Sequence, residues 1–264
     1  MSPDALAVEI RTRTHWEAID LGLALVQTYW RNLYAAWFVV VLPVVVLALA
    51  LDYLLDHDSG DGIQYGILLI WWLKPFYDRA LLHVLSRAVF GETVTWRGVL
   101  RAIPSLLKHS CLFRALTWRR IMPSRSFELP IWQLEGIADP QVRRRRFHVL
   151  KRRGDGAIRL LFVCGIFEMI LLFGVLGLLF MMLPPEFVSS RLESFADLLK
   201  GYEQVPFWFK AIHILIYLFA ISIIEPFYVA AGFSLYLTRR TELEGWDIEL
   251  GFRTLATRLE TRSS

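Results

Sequence analysis

The sequence predicts an all-α integral membrane protein, a helical bundle of about four transmembrane helices with amphipathic interfacial helices. Hydrophobic residues make up 55% of the 264 residues, and ten of the residues are tryptophan. The mean hydropathy of +0.43 exceeds what the core of a soluble domain of this size uses. Four apolar stretches are also long enough to cross a hydrocarbon layer about 30 Å thick, which takes roughly 20 helical residues.

The predicted spans cover residues 33–55, 63–85, 160–183 and 211–237. The second span is interrupted by Lys74 and Pro75, and the fourth by Glu225 and Pro226, but apolar residues resume beyond each interruption. Because proline removes one helical hydrogen bond, Pro75 and Pro226 predict helix kinks. We therefore expect a single membrane domain.

The charge of the connecting segments orients these spans, because short cytoplasmic segments retain Lys and Arg. The charged residues around the first link are all acidic: Asp52, Asp56, Asp58 and Asp61. Residues 88–158 form a strongly basic loop, and Arg239 and Arg240 follow the last span. The pattern predicts a multi-pass protein of the bacterial inner (plasma) membrane, with the basic loop and both termini in the cytoplasm.

Two amphipathic helices are predicted at the membrane surfaces. Residues 16–30 give a mostly apolar stripe that is typical of a helix lying on the inner leaflet. Residues 185–205 place Leu192, Phe195 and Leu199 at helical spacing, with charged residues largely on other faces. This second pattern predicts an outer surface helix.

Ionisable residues inside the predicted spans form the candidate site: Lys74, Asp78, Arg79, Glu168 and Glu225. A charged residue near the bilayer centre costs about 2.5–3.5 kcal/mol on insertion scales, so such residues are normally paired or face a polar cavity. The helical rise places Lys74, Glu168 and Glu225 near the midplane. Two interpretations stay open: a cluster that binds a polar ligand or relays protons, and a structural ion pair.

Residues 74–77 (Lys-Pro-Phe-Tyr) match residues 225–228 (Glu-Pro-Phe-Tyr), which predicts two hairpins related as a parallel repeat. The matched places predict that Lys74 faces Glu225 across two helices. The rival partner is Asp78, one turn along the same helix. If Lys74 and Glu225 form a pair, exchanging their charges is expected to restore much of the folded protein that each single change loses.

The cytoplasmic side offers residues for binding the membrane surface or a partner. They are Trp118, Arg119, Arg120, Trp132, Arg143, Arg144, Arg145, Arg146, Arg239, Arg240 and Trp246. Basic residues close to anionic headgroups contribute about 1 kcal/mol each to membrane binding. Two interpretations of the basic loop therefore stay open: its charges keep it in the cytoplasm and contact lipid, or they dock a protein partner. We do not expect nucleic acid to bind.

No catalytic motif is present, neither a nucleophile elbow, nor a zinc-protease helix, nor a phosphate-binding glycine loop. Cys111 and Cys164 fall in different phases and have no His or Cys partners at metal-ligand spacing. The sequence therefore predicts no enzyme, no cofactor and no metal site.

Two segments carry a family resemblance. Residues 235–240 (Leu-Tyr-Leu-Thr-Arg-Arg) and 244–249 (Glu-Gly-Trp-Asp-Ile-Glu) resemble a signature of uncharacterised prokaryotic membrane proteins. That family is similar to the membrane domain attached to some glycerophosphodiester phosphodiesterases. Residues 125–136 (Arg-Ser-Phe-Glu-Leu-Pro-Ile-Trp-Gln-Leu-Glu-Gly) resemble a narrower proteobacterial subgroup. The resemblance concerns the membrane domain alone, so phosphodiesterase activity is not expected.

The resemblance also implies partners, because members of the subgroup are often encoded beside AAA-type ATPases and transglutaminase-like membrane proteins. The leading expectation is a non-enzymatic membrane subunit or scaffold of an envelope-associated assembly, which docks a cytoplasmic partner through the basic loop. The alternative is a small transporter or lipid-binding protein that uses the midplane charges.

Overall fold

The computed structural model describes residues 11–59, 64–109, 116, 124–135, 139–151, 155–182 and 207–245, and the regular structure within these ranges is helical. The helices are α1 (His15–Ser59), α2 (Tyr65–Trp72), α3 (Lys74–Ala88), α4 (Trp96–His109), α5 (Arg125–Leu134), α6 (Pro140–Lys151), α7 (Asp155–Met182) and α8 (Phe207–Glu244). The predicted outer surface helix at 185–205 lies outside the described residues, as do Trp118, Arg119, Arg120 and Trp246.

Helix α1 joins the predicted inner surface helix to the first span. The 45 residues form one helix that kinks at Tyr29, where φ is −107° and ψ is 20°. Before the kink, Leu25 and Val26 are buried, and Gly22 lies directly against the backbone of Ala231 on α8. This segment therefore packs along α8, and its position on the inner leaflet stays a prediction.

The second predicted span consists of two helices, and the break between them lies beside the predicted kink at Pro75. The chain breaks at Leu73 (φ −84°, ψ 1°) into α2 and α3, and Pro75 occupies the first turn of α3. Proline fits a helix start because its missing N–H is unneeded there. The new helix begins at Lys74, so this break sets the position of a charged residue.

Helix α2 is held at its beginning by a buried carboxylate of α1. Asp52 Oδ1 accepts a hydrogen bond from the Gly66 N–H at 2.7 Å, and Asp52 is only 1% exposed. The sequence had placed Asp52 with the acidic outer link. Its carboxylate tolerates burial because a backbone N–H at the start of the next helix satisfies it.

Helix α8 is the central element of the bundle and contacts α1, α3, α5 and α7. It runs through Pro226 without a break. The Trp37 indole on α1 donates a hydrogen bond to Ser222 Oγ on α8 at 2.9 Å in the buried core. Gly232 on α8 lies against Ser126 of α5, where a side chain on residue 232 would clash.

Three of the described helices are long and apolar enough to cross a membrane. These stretches are His15–Leu55, Gly156–Leu179 and Lys210–Glu244. They match the first, third and fourth predicted spans. The helix pair α2–α3 corresponds to the second, but neither of its parts has the roughly 20 residues that a crossing needs.

Candidate functional site: a charged cleft between helices α2, α7 and α8

Lys74 lies at the centre of a cluster of charged side chains inside the bundle. Its Nζ contacts Glu168 Oε1 at 2.7 Å and Oε2 at 2.9 Å. A third contact, to Glu225 Oε2, is 3.1 Å long. An ammonium group has three N–H donors, so these three oxygens satisfy Lys74. The predicted pairing of Lys74 with Glu225 is confirmed, and Glu168 joins them.

The rival pairing of Lys74 with Asp78 is replaced by one that the sequence did not suggest. Asp78 Oδ2 lies 3.3 Å from Arg125 Nη2, and the same nitrogen contacts Glu225 Oε1 at 2.8 Å. Glu225 thus joins the two cations, one at each oxygen. We call the five residues Lys74, Asp78, Arg125, Glu168 and Glu225 the charge cluster.

Arg125 enters the cluster from the segment that the sequence treated as a basic cytoplasmic loop. It is the first residue of α5, a helix whose next residues, Ser126 to Ile131, are all buried. Close approach at Gly232 lets α5 pack on α8, which brings the guanidinium to Glu225. In the sequence Arg125 begins the segment 125–136 that carries the family resemblance, but helical spacing cannot show contacts between segments that are distant in the chain.

Local geometry explains why the other members converge. Lys74 and Asp78 are one turn apart at the start of α3, so both side chains lie on one face. The Tyr77 hydroxyl donates a hydrogen bond to the Ile70 carbonyl at 2.9 Å across the break at Leu73. The prolines therefore act differently, because Pro75 starts a helix at the cluster whereas Pro226 follows Glu225 inside a continuous helix.

Aromatic rings support both cations of the charge cluster. Lys74 Nζ lies 5.7 Å from the ring centroid of Tyr217, and Arg125 Cζ lies 5.3 Å from that of Tyr228. At such distances the electron-rich ring face attracts a cation. Tyr217, Glu225 and Tyr228 all belong to α8, so one helix presents two rings and a carboxylate to the same site.

A cleft of about 540 Å³ opens beside the charge cluster. Lys74, Arg125, Glu168 and Glu225 line its polar part. Its other walls are mainly apolar and come from α2, α7 and α8, with Leu68, Trp71, Cys164, Met169 and Leu172 among them. This volume lies within the range of about 300–1,000 Å³ that is usual for ligand sites.

The donors of Arg125 are only partly used. Nη2 makes both of its ion pairs, whereas Nε is buried and has no hydrogen-bond partner among the described residues. A guanidinium carries five N–H groups in a planar fork that suits carboxylate and phosphate. Arg125 can therefore donate a hydrogen bond to a further anionic oxygen.

Arg79, the remaining predicted member, is buried on α3 but is not among the residues that line this cleft. Its backbone carbonyl accepts a hydrogen bond from the Gln133 amide at 3.0 Å. Arg79 lines a smaller cavity with Asp78 and Trp132. The structure therefore places Arg79 next to the charge cluster rather than on the cleft wall.

A second polar network joins α6 to the end of α8. Arg146 pairs with Glu244 and lies 3.5 Å from Glu135, and Arg240 pairs with Glu244 at 2.8 Å. Arg239 pairs with Glu242 at 2.7 Å. Three of the predicted surface arginines thus take part in ion pairs within the protein.

The other predicted surface residues divide between exposed and packed positions. Arg144 and Arg145 are exposed on α6, and Arg143 belongs to the same helix. Trp132 of α5 packs on Phe147 of α6, with ring centroids 5.5 Å apart. Arg144 and Arg145 are therefore the described members of that set that remain available at a surface.

The fold and the site define a class: over the residues that the structure describes, the chain is helical and of the multi-pass membrane type, with buried charges on the wall of an interhelical cleft. Comparisons with family models, curated proteins and solved structures find no match to the chain. The family resemblance of its two sequence segments therefore stays a prediction.

Proposed function

We propose that this chain is a non-enzymatic integral membrane protein that binds an amphipathic molecule in the cleft between α2, α7 and α8. The observation that carries the proposal is the composition of the cleft wall. Charged groups lie at one part of the wall, and apolar side chains form most of the remainder. A ligand with a polar head and an apolar chain matches both parts at once.

The apolar walls also lead outward from the charge cluster to the lipid-facing surface of the bundle. Leu68 is 54% exposed and Met169 is 56% exposed, although both line the cleft. In a bilayer such surfaces face acyl chains, so an amphiphile can enter from the side with its chain still in lipid. This route avoids moving the chain through water.

The proposal includes about four crossings, formed by α1, the pair α2–α3, α7 and α8. From the basic residues we infer that the C-terminal end of α8 and helix α6 lie on the cytoplasmic side of a bacterial inner membrane, with both termini on that side. Glu225 lies fourteen residues before Arg239 on α8, about 21 Å along the helix axis. The charge cluster is then near mid-depth, where a ligand headgroup needs protein partners in place of water.

Two glycines of α7 provide a matched test. Gly165 lines the cleft, and Gly174 does not. A Cβ built at either position meets no described atom within 4 Å. They are nine residues apart, so they occupy opposite faces of the helix. Gly165→Trp would fill the cleft, and Gly174→Trp would add the same ring on the other side of the same helix.

The measurement is the number of lipid molecules that remain bound to full-length protein in native mass spectra after mild detergent extraction. We expect wild type and Gly174→Trp to retain a bound amphiphile and Gly165→Trp to lose it, with all three equally monodisperse. Equal retention by Gly165→Trp would rule out the cleft as the site.

A second candidate function is the scaffold role, in which the cytoplasmic face docks a partner such as an AAA-type ATPase or a transglutaminase-like protein. The exposed guanidinium groups of Arg144 and Arg145 favour it, because the neighbouring Arg146 is occupied within the protein and these two are not buried. Crosslinking in native membranes would test this role. A stoichiometric partner captured by wild type and lost on Arg144→Glu with Arg145→Glu supports docking, and an unchanged crosslinking pattern contradicts it.

A further inference from the structure

We infer that the cleft selects a zwitterionic phospholipid headgroup, one that carries a phosphate and a primary ammonium, over an anionic headgroup. This inference rests on the proposed function, since it names the ligand class of the same cleft. The ion pairs of the cluster and the unpartnered Nε of Arg125 carry the argument. The phosphate and the ammonium of the headgroup are each assigned to one residue.

The positive charges of the cluster are already compensated. Lys74 and Arg125 are both paired with carboxylates of Asp78, Glu168 and Glu225. A purely anionic headgroup would therefore meet no unpaired cation, and it would lie close to Glu168 in a setting of low dielectric, where like charges repel strongly. A headgroup that brings its own positive charge avoids that penalty.

The phosphate is assigned to Arg125. Lys74 has no donor left, because its three N–H groups face three carboxylate oxygens. Arg125 retains Nε, which is buried without a hydrogen-bond partner among the described residues. Satisfying a buried donor of this kind with a charged oxygen removes a desolvation cost and adds a charge-assisted hydrogen bond.

The ammonium is assigned to Glu168. Among the three carboxylates it is the most accessible, with 19% of its side chain exposed against 3% for Glu225 and 2% for Asp78. Within the described part of the chain, Lys74 is the cation that pairs with Glu168, and each carboxylate oxygen accepts more than one hydrogen bond. A primary ammonium can therefore bind Glu168 from the cleft side without displacing Lys74.

The experiment offers delipidated full-length protein an equimolar mixture of phosphatidylethanolamine and phosphatidylglycerol with identical acyl chains, and counts the bound lipids by native mass spectrometry. We expect wild type to bind phosphatidylethanolamine at least about tenfold better, the effect of one charge-assisted hydrogen bond. Glu168→Gln should abolish that preference. Its amide oxygen still accepts a hydrogen bond from Lys74, but the negative charge that attracts the ammonium is gone.

A matched control is Glu92→Gln, the same chemical change at an exposed carboxylate that pairs with Arg87 outside the cleft. It should keep the wild-type preference. Equal or better binding of phosphatidylglycerol by wild type overturns the inference, and that measurement needs no variant to fold. An unchanged preference in Glu168→Gln overturns the assignment of the ammonium.

Failure of the inference and failure of the proposed function give different results. If phosphatidylglycerol binds as well as phosphatidylethanolamine and Gly165→Trp still removes both, the cleft binds amphiphiles without this headgroup selectivity. If Gly165→Trp binds both lipids as wild type does, the cleft is not the site, and the inference falls with the proposed function.

Discussion

Helices α7 and α8 are both apolar enough to cross a membrane, but they are packed very differently. In the most apolar stretch of α8, 67% of the residues are buried inside the protein. In the most apolar stretch of α7, 6% are buried. Helices α1, α3 and α5 all pack against α8. Helix α7 packs against the bundle along one side only. On that side Glu168 forms an ion pair with Lys74 of α3.

Helices of similar apolar composition thus have two different roles, one in packing the bundle and one in lining the cleft. The polar and small residues of each helix distinguish the two roles. On α8, Glu225 joins two cations and Gly232 admits α5. On α7, the glycines 165, 174 and 177 meet no described neighbour at the position of a Cβ. We therefore expect changes on α8 to affect folding and changes on α7 to affect the cleft.

Reversing the charge of Glu225 should have the largest effect. Glu225→Lys places a third cation against Lys74 and Arg125, and disrupting a buried ion pair typically costs about 3–5 kcal/mol. Adding Lys74→Glu does not repair the site, because the new carboxylate faces Glu168 and the new ammonium faces Arg125. The structure thus changes the sequence-based expectation that exchange restores folding.

The measurement is the amount of monodisperse protein extracted from membranes expressing each single change and the double exchange. We expect the double exchange to be no better than the worse single change. Recovery to the wild-type amount would mean that Lys74 and Glu225 form an isolated pair, against the five-residue cluster.

Crowding at a helix contact should come next in size. A Cβ at Gly22 would lie 2.5 Å from Ala231 Cα on α8, so Gly22→Leu must separate the two helices. Overpacking of this kind typically costs about 1–3 kcal/mol and occasionally more. Gly174→Leu, which meets open space, is the matched control. A thermal-aggregation midpoint for Gly22→Leu equal to that of Gly174→Leu would contradict the close packing of α1 on α8.

A smaller loss of stability is expected for Glu168→Gln. Lys74 keeps Glu225 as a charged partner, and the side chain of Glu168 is the most exposed of the three carboxylates. We expect a decrease on the order of 1 kcal/mol, the size of a single polar interaction. Glu225→Gln should cost clearly more in the same thermal-unfolding experiment, and the reverse order would refute the different roles of α7 and α8.

The smallest effect on stability is expected at Arg145, which is exposed on α6. Arg145→Cys should leave stability unchanged and report topology. An impermeant maleimide should label the introduced thiol only after spheroplasts are lysed, because α6 belongs to the basic segment that the proposed orientation puts in the cytoplasm. Ser124, in the same segment, is a poorer probe because it is 2% exposed. Labelling of the Arg145→Cys protein in intact spheroplasts would invert the proposed orientation.

Apolar run length was enough to predict helix α7 and most of α1 and α8, because lipid selects for composition along a whole segment. The run 63–85 satisfied the same criterion, but local geometry at Leu73 and Pro75 divides it. The amino-acid composition of a segment does not indicate where one helix ends and the next begins. The pairing of Lys74 with Glu225 could be predicted, because both occupy the same place before a Pro-Phe-Tyr sequence.

The position of Arg125 and its ion pair with Asp78 show what the sequence could not provide. Arg125 lies among many basic residues of the segment 88–158, and net charge assigned all of them to one surface. The contact that brings its side chain to Glu225 spans 100 residues of chain. It depends on the buried face of α5 fitting α8 at Gly232, a matter of shape that periodicity does not encode.

The most direct test of the account is a density map of the full chain in lipid nanodiscs, with a bound antibody fragment as a fiducial. We expect an elongated density between α2 and α7 whose polar end lies within hydrogen-bonding distance of Arg125 and whose remainder extends along Leu68 and Met169. A cleft closed by contact between α2 and α7, or one that holds only water beside Arg125, would contradict it.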